Sequence, residues 1–200
     1  MRVPGRQLIL ASASPRRREL LEAMGWRFLV RPVELDESPF PGEDAAAYVG
    51  RLALEKARAA AARAATESPD ALVLGADTVV ALECELFGKP KDPADARLML
   101  RRLAGRRHQV LTGVALLDGE REWLEVARTE VQMAPLSEQE IELYVETGEP
   151  LDKAGAYAVQ GRGALFVSAL DGNYSNVVGL PLPVVYRLLL AAGGPSPFGS

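Results

Sequence analysis

The chain has 200 residues, of which 48% are hydrophobic and 25% charged, a balance typical of a globular protein with a sizeable core. Its formal net charge of -4 argues against a general nucleic-acid binder, which would carry a broad basic surface. A single cysteine excludes an intramolecular disulfide and favours a reducing, cytoplasmic compartment, and no apolar run is long enough to span a bilayer.

The first stretch, residues 8–24, combines a strand, a turn and a helix start. Residues 8–10 form an apolar run typical of a short buried strand, and the small residues 11–14 form a turn where a backbone can approach a ligand closely. Ser14 followed by Pro15 predicts a helix that begins there, with Ser14 as its N-cap.

Three arginines, Arg16, Arg17 and Arg18, crowd the first turn of this helix. The helix macrodipole makes that end positive, so each cation costs roughly 0.3–1 kcal/mol there. Backbone N–H groups, a serine-bearing turn and guanidinium groups together favour a phosphate site. The alternative is a solvated basic turn with ordinary i,i+4 pairing.

A long helix is predicted over residues 42–66, after a second strand at 28–33 and an acidic turn at 34–37. Lys56 falls on the apolar stripe of that helix. A lysine on a buried stripe needs a partner anion, or its ammonium must reach solvent along an extended side chain, and both readings remain open.

Residues 71–76 form a nearly continuous apolar run, the pattern of a central strand covered on both faces. The run leads to Asp77 and Thr78 and continues through residues 79–82. An ionised aspartate is costly to bury without a partner, so Asp77 indicates a metal, a cation or a catalytic role. The alternative is a strand-end aspartate that caps nearby N–H groups.

The middle of the chain predicts a hairpin with an edge strand at 83–87 and a turn at 88–93 that presents Lys89 and Lys91. A short helix follows over residues 94–103. Two long strands, residues 110–117 and 125–133, are joined through Asp118 and Gly119 in a hairpin. His108, the lone histidine, is interpreted as a structural hydrogen-bonding residue.

The last third begins with a helix whose Ser137 and Glu140 have the spacing of a capping box. Residues 151–160 form a polar loop that contains Lys153 and Gln160. A strand at 163–170 and a final helix at 182–192 complete the chain. Because helices and strands alternate around a central hairpin, the sequence predicts an α/β fold with a mixed, twisted sheet.

The unusual polar residues indicate phosphoryl chemistry. Two carboxylates, Glu37 and Asp77, suit Mg²⁺ or Mn²⁺, which take oxygen ligands. Several cations suit a chain of phosphates. They are Arg16, Arg17, Lys56, Lys89 and Lys153. This set predicts metal-assisted attack of water on a phosphoryl centre. The sequence has no Walker A pattern and no GxGxxG after a strand, so P-loop and Rossmann readings are weak.

The motifs, taken in order, resemble those of the Maf family, also called septum formation inhibitor proteins. They are ASASPRRRELL (11–21), the 35–37 turn, RLALEKA (51–57), GADTVV (75–80), GKPKD (88–92), GEPLDKAGAYAVQG (148–161) and VVGLP (177–181). The resemblance extends from about residue 7 to 190, and it implies one domain over residues 1–192 with a loose tail over 193–200.

The resemblance implies a metal-dependent nucleoside triphosphate pyrophosphatase that cleaves between the α and β phosphates. Asp77 matches the catalytic acidic residue, the general base. The remaining phosphate- and metal-handling positions match Ser12, Arg16, Arg17, Glu37, Lys56 and Lys89. Thr78 and Gln160 look like the branch that acts on dTTP and UTP, with CTP and modified pyrimidine nucleotides as further candidates. The family is similar to the inosine triphosphatase fold, a mixed α/β sheet with flanking helices in two lobes around a cleft, often as a homodimer.

Two other readings stay open at this stage. One is a non-catalytic, nucleotide-binding regulator of septum formation and cell division. The other is the sister branch of the same family that acts on 7-methyl-GTP. Neither a membrane nor a stable nucleic-acid complex is expected.

Overall fold

Seven strands form one mixed sheet in the computed structural model, which describes residues 6–198. The strands are β1 (Leu8–Leu10), β2 (Phe28–Val30), β3 (Leu72–Leu82), β4 (Glu85–Phe87), β5 (Arg107–Asp118), β6 (Arg121–Met133) and β7 (Val167–Asp171). Their order is β2-β1-β3-β5-β6-β7, and β4 pairs with β3. Strand β1 is parallel to β2 and β3, whereas the β3–β4 and β6–β7 pairs are antiparallel.

Six α-helices accompany these strands within the described residues. They are α1 (Pro15–Ala23), α2 (Ala45–Ala64), α3 (Pro93–Leu103), α4 (Glu138–Glu146), α5 (Tyr174–Val178) and α6 (Leu182–Ala191). The predicted α/β class, a mixed sheet with flanking helices, is confirmed. None of the helices that the structure describes is long and apolar enough to cross a membrane.

The helix starts follow the capping signals of the sequence. Ser14 takes the extended N-cap conformation before Pro15. The Asp44 carboxylate accepts a hydrogen bond from the Ala47 N–H at 2.8 Å and caps α2. Ser137 and Glu140 form the predicted capping box at the start of α4.

The chain divides into two compact units. Of the described residues, the first unit contains 6–77, 112–127 and 179–198, and the second contains 78–111 and 128–178. Each unit has its own apolar core. Strands β3, β5 and β6 each contribute residues to both units.

In the first unit, β1 and the start of β3 are buried on both faces of the sheet. Leu8 and Leu10 of β1 belong to one apolar cluster, which includes residues of α1 and α6, and Ile9 belongs to another, which includes residues of α2. The start of β3 alternates in the same way between the two clusters. The prediction that β3 is covered on both faces is therefore confirmed.

Two glycines allow α2 to lie very close to this sheet. A Cβ on Gly75 of β3 would lie 2.2 Å from the Ala53 carbonyl oxygen, and one on Gly113 of β5 would lie 2.2 Å from the Val49 carbonyl oxygen. Both distances are far shorter than any van der Waals contact, so these positions require glycine. The helix that carries Lys56 is thus held against the strand that carries Asp77.

The predicted strand at 163–170 is wrong in its first half. Residues Gly161–Phe166 form a 3-10 helix, and β7 begins only at Val167. The Glu149 carboxylate accepts hydrogen bonds from the N–H groups of Arg162 and Gly163, each at 3.0 Å, and therefore turns the chain away from an extended path.

The tail is described only as far as residue 198, so the last two residues of the predicted loose segment lie outside the described residues. Trp26 Nε1 donates to the Pro195 carbonyl oxygen at 3.0 Å. The rings of Tyr186 and Phe198 meet edge to face with centroids 6.0 Å apart.

Candidate active site

A buried ammonium group joins two carboxylates in the first unit. Lys56 Nζ lies 2.6 Å from Asp77 Oδ1 and 2.6 Å from Glu37 Oε1. The side chains of Lys56 and Asp77 are each 10% exposed, whereas that of Glu37 is 54% exposed. Of the two readings of Lys56, the partner anion is the one that the structure shows.

Burial shapes the chemistry of Asp77. Desolvation raises the pKa of the Asp77 carboxyl above its ordinary value, although the charges of Lys56 and Arg17 act in the opposite direction. A carboxylate with a raised pKa takes up a proton more readily than an exposed one does. Asp77 therefore has the electrostatic character of a general base.

Arg17 is a second buried cation in this unit. Its Nε donates to the Gly179 carbonyl oxygen at 2.8 Å, and its Nη1 donates to Ser12 Oγ at 3.0 Å. Burial lowers the pKa of the Arg17 guanidinium, and the nearby Asp77 carboxylate opposes that shift. Because an arginine keeps its charge in proteins, Arg17 supplies a fixed positive charge beside Asp77.

The three arginines of α1 occupy different surroundings. Arg17 is buried, Arg16 is partly exposed, and Arg18 is exposed and pairs with Glu22 four residues later at 3.6 Å. The alternative of ordinary i,i+4 pairing thus holds for Arg18 alone. Arg16 lies close enough to Arg17 for its charge to help lower the pKa of that guanidinium.

The other predicted site residues belong to the second unit. Thr78 directly follows Asp77 in β3 and is partly buried, and Lys89 and Gln160 are exposed. Lys153 Nζ lies 2.6 Å from the Glu149 carbonyl oxygen and 2.6 Å from Asp152 Oδ1. The loop with Lys153 and the turn with Lys89 are tied together, because the Gly155 N–H donates to the Gly88 carbonyl oxygen at 3.0 Å.

Glu149 organises the loop that carries Lys153 and Gln160. Its Oε1 accepts from the Tyr144 hydroxyl at 2.9 Å, in addition to the two backbone N–H groups described above. Burial tends to raise the pKa of Glu149, but these hydrogen bonds outweigh it and hold the pKa below its usual range. Sequence reasoning missed this role, since a glutamate beside a glycine and a proline carries no pattern of its own.

The Gly179 carbonyl was also missed, because a backbone oxygen leaves no trace in residue type. The signal nearest to it was the VVGLP motif, in which Gly179 has a φ of 123°. A glycine in that conformation inside a motif is a position worth testing for a backbone contact.

The carboxylate pair fits a divalent metal ion. Glu37 and Asp77 converge on one cation, and both offer the oxygen ligands that Mg²⁺ and Mn²⁺ prefer. Within residues 6–198 there is no group of three or more His, Cys, Asp or Glu side chains arranged for a metal. A metal at this pair would therefore take its other ligands from water and from phosphate oxygens.

Comparisons with known proteins give one family and several named relatives. The sequence matches the family described as Maf-like protein over residues 7–192. A protein of Symbiobacterium thermophilum named dTTP/UTP pyrophosphatase is 52% identical over 189 residues, which are 94% of this chain and 95% of the relative. Proteins of the same name from Myxococcus xanthus and Moorella thermoacetica are 54% and 53% identical, over 96% and 94% of this chain and 95% of each relative.

Among solved structures, that of the Staphylococcus aureus Ham1 protein matches with a TM-score of 0.46 and 14% identity. The match covers 64% of this chain and 72% of that one.

Proposed function

Because the chain belongs to the Maf family, we propose that it is a nucleoside triphosphate pyrophosphatase that hydrolyses dTTP and UTP to the monophosphate and pyrophosphate. The family predicted from the motifs is confirmed. The observation that carries the proposal is the buried Lys56 ammonium, held between Asp77 and Glu37 beside the buried Arg17. Burying three of these charged groups together, those of Arg17, Lys56 and Asp77, is costly for folding and is explained by a reaction that uses them.

In the proposed reaction, Asp77 takes a proton from water as the water attacks the α-phosphorus, and pyrophosphate leaves. Its raised pKa supports this role. Glu37 and Asp77 would hold Mg²⁺ or Mn²⁺. When bound, such an ion would offset the negative charge of the phosphates.

The cations of the chain would bind the triphosphate. We assign the phosphates to Arg16, Arg17, Lys56, Lys89 and Lys153. Arg17 is held in place for this role, since its bonds to Ser12 and Gly179 fix the orientation of the guanidinium. We assign Ser12 to the same part of the site, because its hydroxyl accepts a hydrogen bond from Arg17 and so orients the guanidinium.

Thr78 and Gln160 would distinguish the nucleobase. The names of the relatives from three organisms support dTTP and UTP as substrates, with CTP and modified pyrimidine nucleotides as further candidates.

A nucleotide panel tests the proposed function. The purified chain is incubated with each canonical triphosphate and 7-methyl-GTP in the presence of Mg²⁺ or Mn²⁺, and pyrophosphate and orthophosphate are measured separately. We expect pyrophosphate, fastest from dTTP and UTP. Orthophosphate would overturn the reaction, a preference for 7-methyl-GTP would overturn the branch, and binding without hydrolysis would favour the regulator of septum formation.

Two further expectations belong to this proposal. We place the protein in the cytoplasm, which is consistent with its single cysteine. We also propose a homodimer, which light scattering on the purified chain would test. No stable complex with nucleic acid is expected at a net charge of -4.

A further inference from the structure

The segment that carries Glu37 has neither helix nor strand over residues 36–43. It is nevertheless fixed to α2 by Arg51. Arg51 Nε donates to Glu43 Oε1 at 2.7 Å, and Nη2 donates to Glu43 Oε2 at 2.8 Å and to the Ser38 carbonyl oxygen at 3.2 Å. These bonds hold the segment at Ser38, directly after Glu37, and again at Glu43.

Packing adds to these hydrogen bonds. The Arg51 guanidinium carbon lies 4.0 Å from the centre of the Phe40 ring, a cation–π contact. Glu43 Oε2 also accepts from the Phe40 N–H at 3.0 Å, so the same carboxylate joins Arg51 to the middle of the segment. One turn earlier on α2, the Tyr48 hydroxyl donates to the Glu37 carbonyl oxygen at 2.9 Å.

We propose that Arg51 is a positioning residue, which fixes segment 36–43 so that the Glu37 carboxylate is held opposite Asp77. The inference rests on the proposed function, in which these two carboxylates hold the metal. Arg51 and Lys56 lie on the same helix, so α2 supplies the cation between the two carboxylates and also anchors the segment that brings one of them there.

Lysine cannot replace arginine in this arrangement. A guanidinium is planar and makes two parallel bonds to a carboxylate while its face stacks on a ring, whereas an ammonium is a point charge. Arg51→Lys therefore keeps the positive charge and removes the planar group that makes two parallel bonds to the carboxylate. Arg58 offers a matched control, because it lies on the same helix and makes an equally short two-point pair with Glu122, with both bonds at 2.7 Å.

The test is a double-mutant cycle between Arg51 and Glu37, with Arg58→Lys as control. The value of kcat/KM for dTTP and the Mg²⁺ concentration for half-maximal rate are measured for Arg51→Lys, Glu37→Gln and the double variant. We expect Arg51→Lys to lose about 10- to 100-fold in kcat/KM and to need more Mg²⁺. In the Glu37→Gln background the same change should cost less than about threefold, since the group that it positions is gone.

Hydrogen exchange of the free protein gives a readout that does not depend on activity. Residues 36–43 should exchange faster in Arg51→Lys and at the wild-type rate in Arg58→Lys, whose activity should stay within about twofold of wild type. Three results would each overturn the inference. They are an unchanged exchange rate of residues 36–43 in Arg51→Lys, wild-type kinetics in Glu37→Gln, or a loss of kcat/KM from Arg51→Lys that is as large in the Glu37→Gln background as in the wild-type chain. If the wild-type chain releases no pyrophosphate, the proposed function fails instead, and exchange alone decides whether Arg51 anchors the segment.

Discussion

At the scale of single residues, the Lys56–Asp77 pair is the feature that folding alone explains least. Both side chains are 10% exposed, and removing two charges from water costs several kcal/mol per ion before their attraction offsets it. An apolar pair of the same volume would serve stability equally well. The charges are therefore best understood through the proposed reaction.

Asp77→Asn should abolish turnover and leave the fold intact. An amide still accepts a hydrogen bond from Lys56 but cannot take a proton from water, so kcat/KM should fall by at least about 1000-fold. Pyrophosphate release and a thermal melt measure the two effects. Asp118→Asn is the control, because Asp118 also pairs with a cationic side chain, that of Arg6, in the same unit and has no assigned role in the reaction. Near wild-type activity in Asp77→Asn would refute Asp77 as the base.

Lys56→Met should destabilise the protein, because it leaves Asp77 buried without its ammonium partner. Breaking a buried ion pair costs about 3–5 kcal/mol, and the nearby Arg17 charge should bring the loss toward the lower figure. Urea unfolding measures it. Adding Asp77→Asn to Lys56→Met should restore part of the lost stability, since the uncompensated charge is removed. A loss below about 1 kcal/mol in the single variant would contradict this reading of the pair.

Residue patterns revealed the buried charges but not what holds them. Lys56 on an apolar stripe and Asp77 in an apolar strand are visible as exceptions to burial rules. Arg51 and Glu149 are ordinary charged residues in sequence, and the contacts by which they fix their segments, to Glu43 and to the Gly163 N–H, join positions 8 and 14 residues apart. Such contacts depend on how the chain folds back, which local spacing does not encode.

At the scale of elements, the distance between α2 and the sheet decides whether Lys56 reaches Asp77. Gly75 lies on β3 two residues before Asp77, and a side chain there would meet the backbone of α2. Glycine at this position is therefore needed for the close packing of α2 on the sheet and, through that packing, for the contact between Lys56 and Asp77.

Gly75→Ala should destabilise the protein and reduce kcat/KM together, because α2 must retreat to admit the new methyl group. Overpacking of this kind costs about 1–3 kcal/mol, and more where the obstacle is backbone. Gly50→Ala on α2 is the matched control, since its Cβ would meet only side-chain atoms, those of Leu124 at 3.5 Å and Val126 at 3.7 Å. We expect the control to be neutral or stabilising by up to about 1 kcal/mol. Equal effects of the two substitutions on activity would argue against close approach as the cause.

An element could be predicted from the sequence where the interactions that stabilise it are local. Apolar runs and capping residues predicted β3, α2 and α4, because burial and end groups act locally. Residues 163–166 were mistaken for strand, since their composition allows it and the Glu149 carboxylate that bends the chain there is distant in sequence. The five-residue helix α5 is too short to give a helical period.

At the scale of the whole molecule, stability should depend on pH through the one histidine. His108 is 2% exposed within β5, where its Nε2 lies 2.7 Å from the Tyr157 hydroxyl oxygen, and burial lowers its pKa from 6.5 to about 4. Between these values the unfolded chain binds a proton that the folded chain does not. The contribution of His108 to the free energy of unfolding is therefore fully present above pH 6.5 and is lost as the pH falls toward 4.

The free energy of unfolding should thus fall by about 2–3 kcal/mol between pH 7 and pH 4.5 through this group, since each pKa unit corresponds to about 1.4 kcal/mol. His108→Gln should flatten that part of the profile, whatever its effect on stability at pH 7. Urea unfolding at a series of pH values measures both proteins. If the free energy of unfolding falls equally steeply with pH in the wild type and in His108→Gln, groups other than His108 govern the loss of stability at low pH.

The sequence predicted the fold class and the mixed sheet, because the alternation of helices and strands limits the possible architectures. Two lobes were implied by the family resemblance, but residue patterns did not predict where the long strands divide between the two compact units. The divisions of β3, β5 and β6 fall at polar residues, Thr78, Thr112 and Arg128, which by themselves are ordinary strand residues. That residues 1–192 form one domain, and that the tail beyond is loose, stays a prediction.

In the proposed reaction, water activated by Asp77 attacks the α-phosphorus of a pyrimidine triphosphate. Hydrolysis of dTTP in ¹⁸O-labelled water with Mg²⁺, followed by mass spectrometry of the products, tests it most directly. We expect one ¹⁸O atom in dTMP and unlabelled pyrophosphate. Label in pyrophosphate, or in orthophosphate, would contradict it.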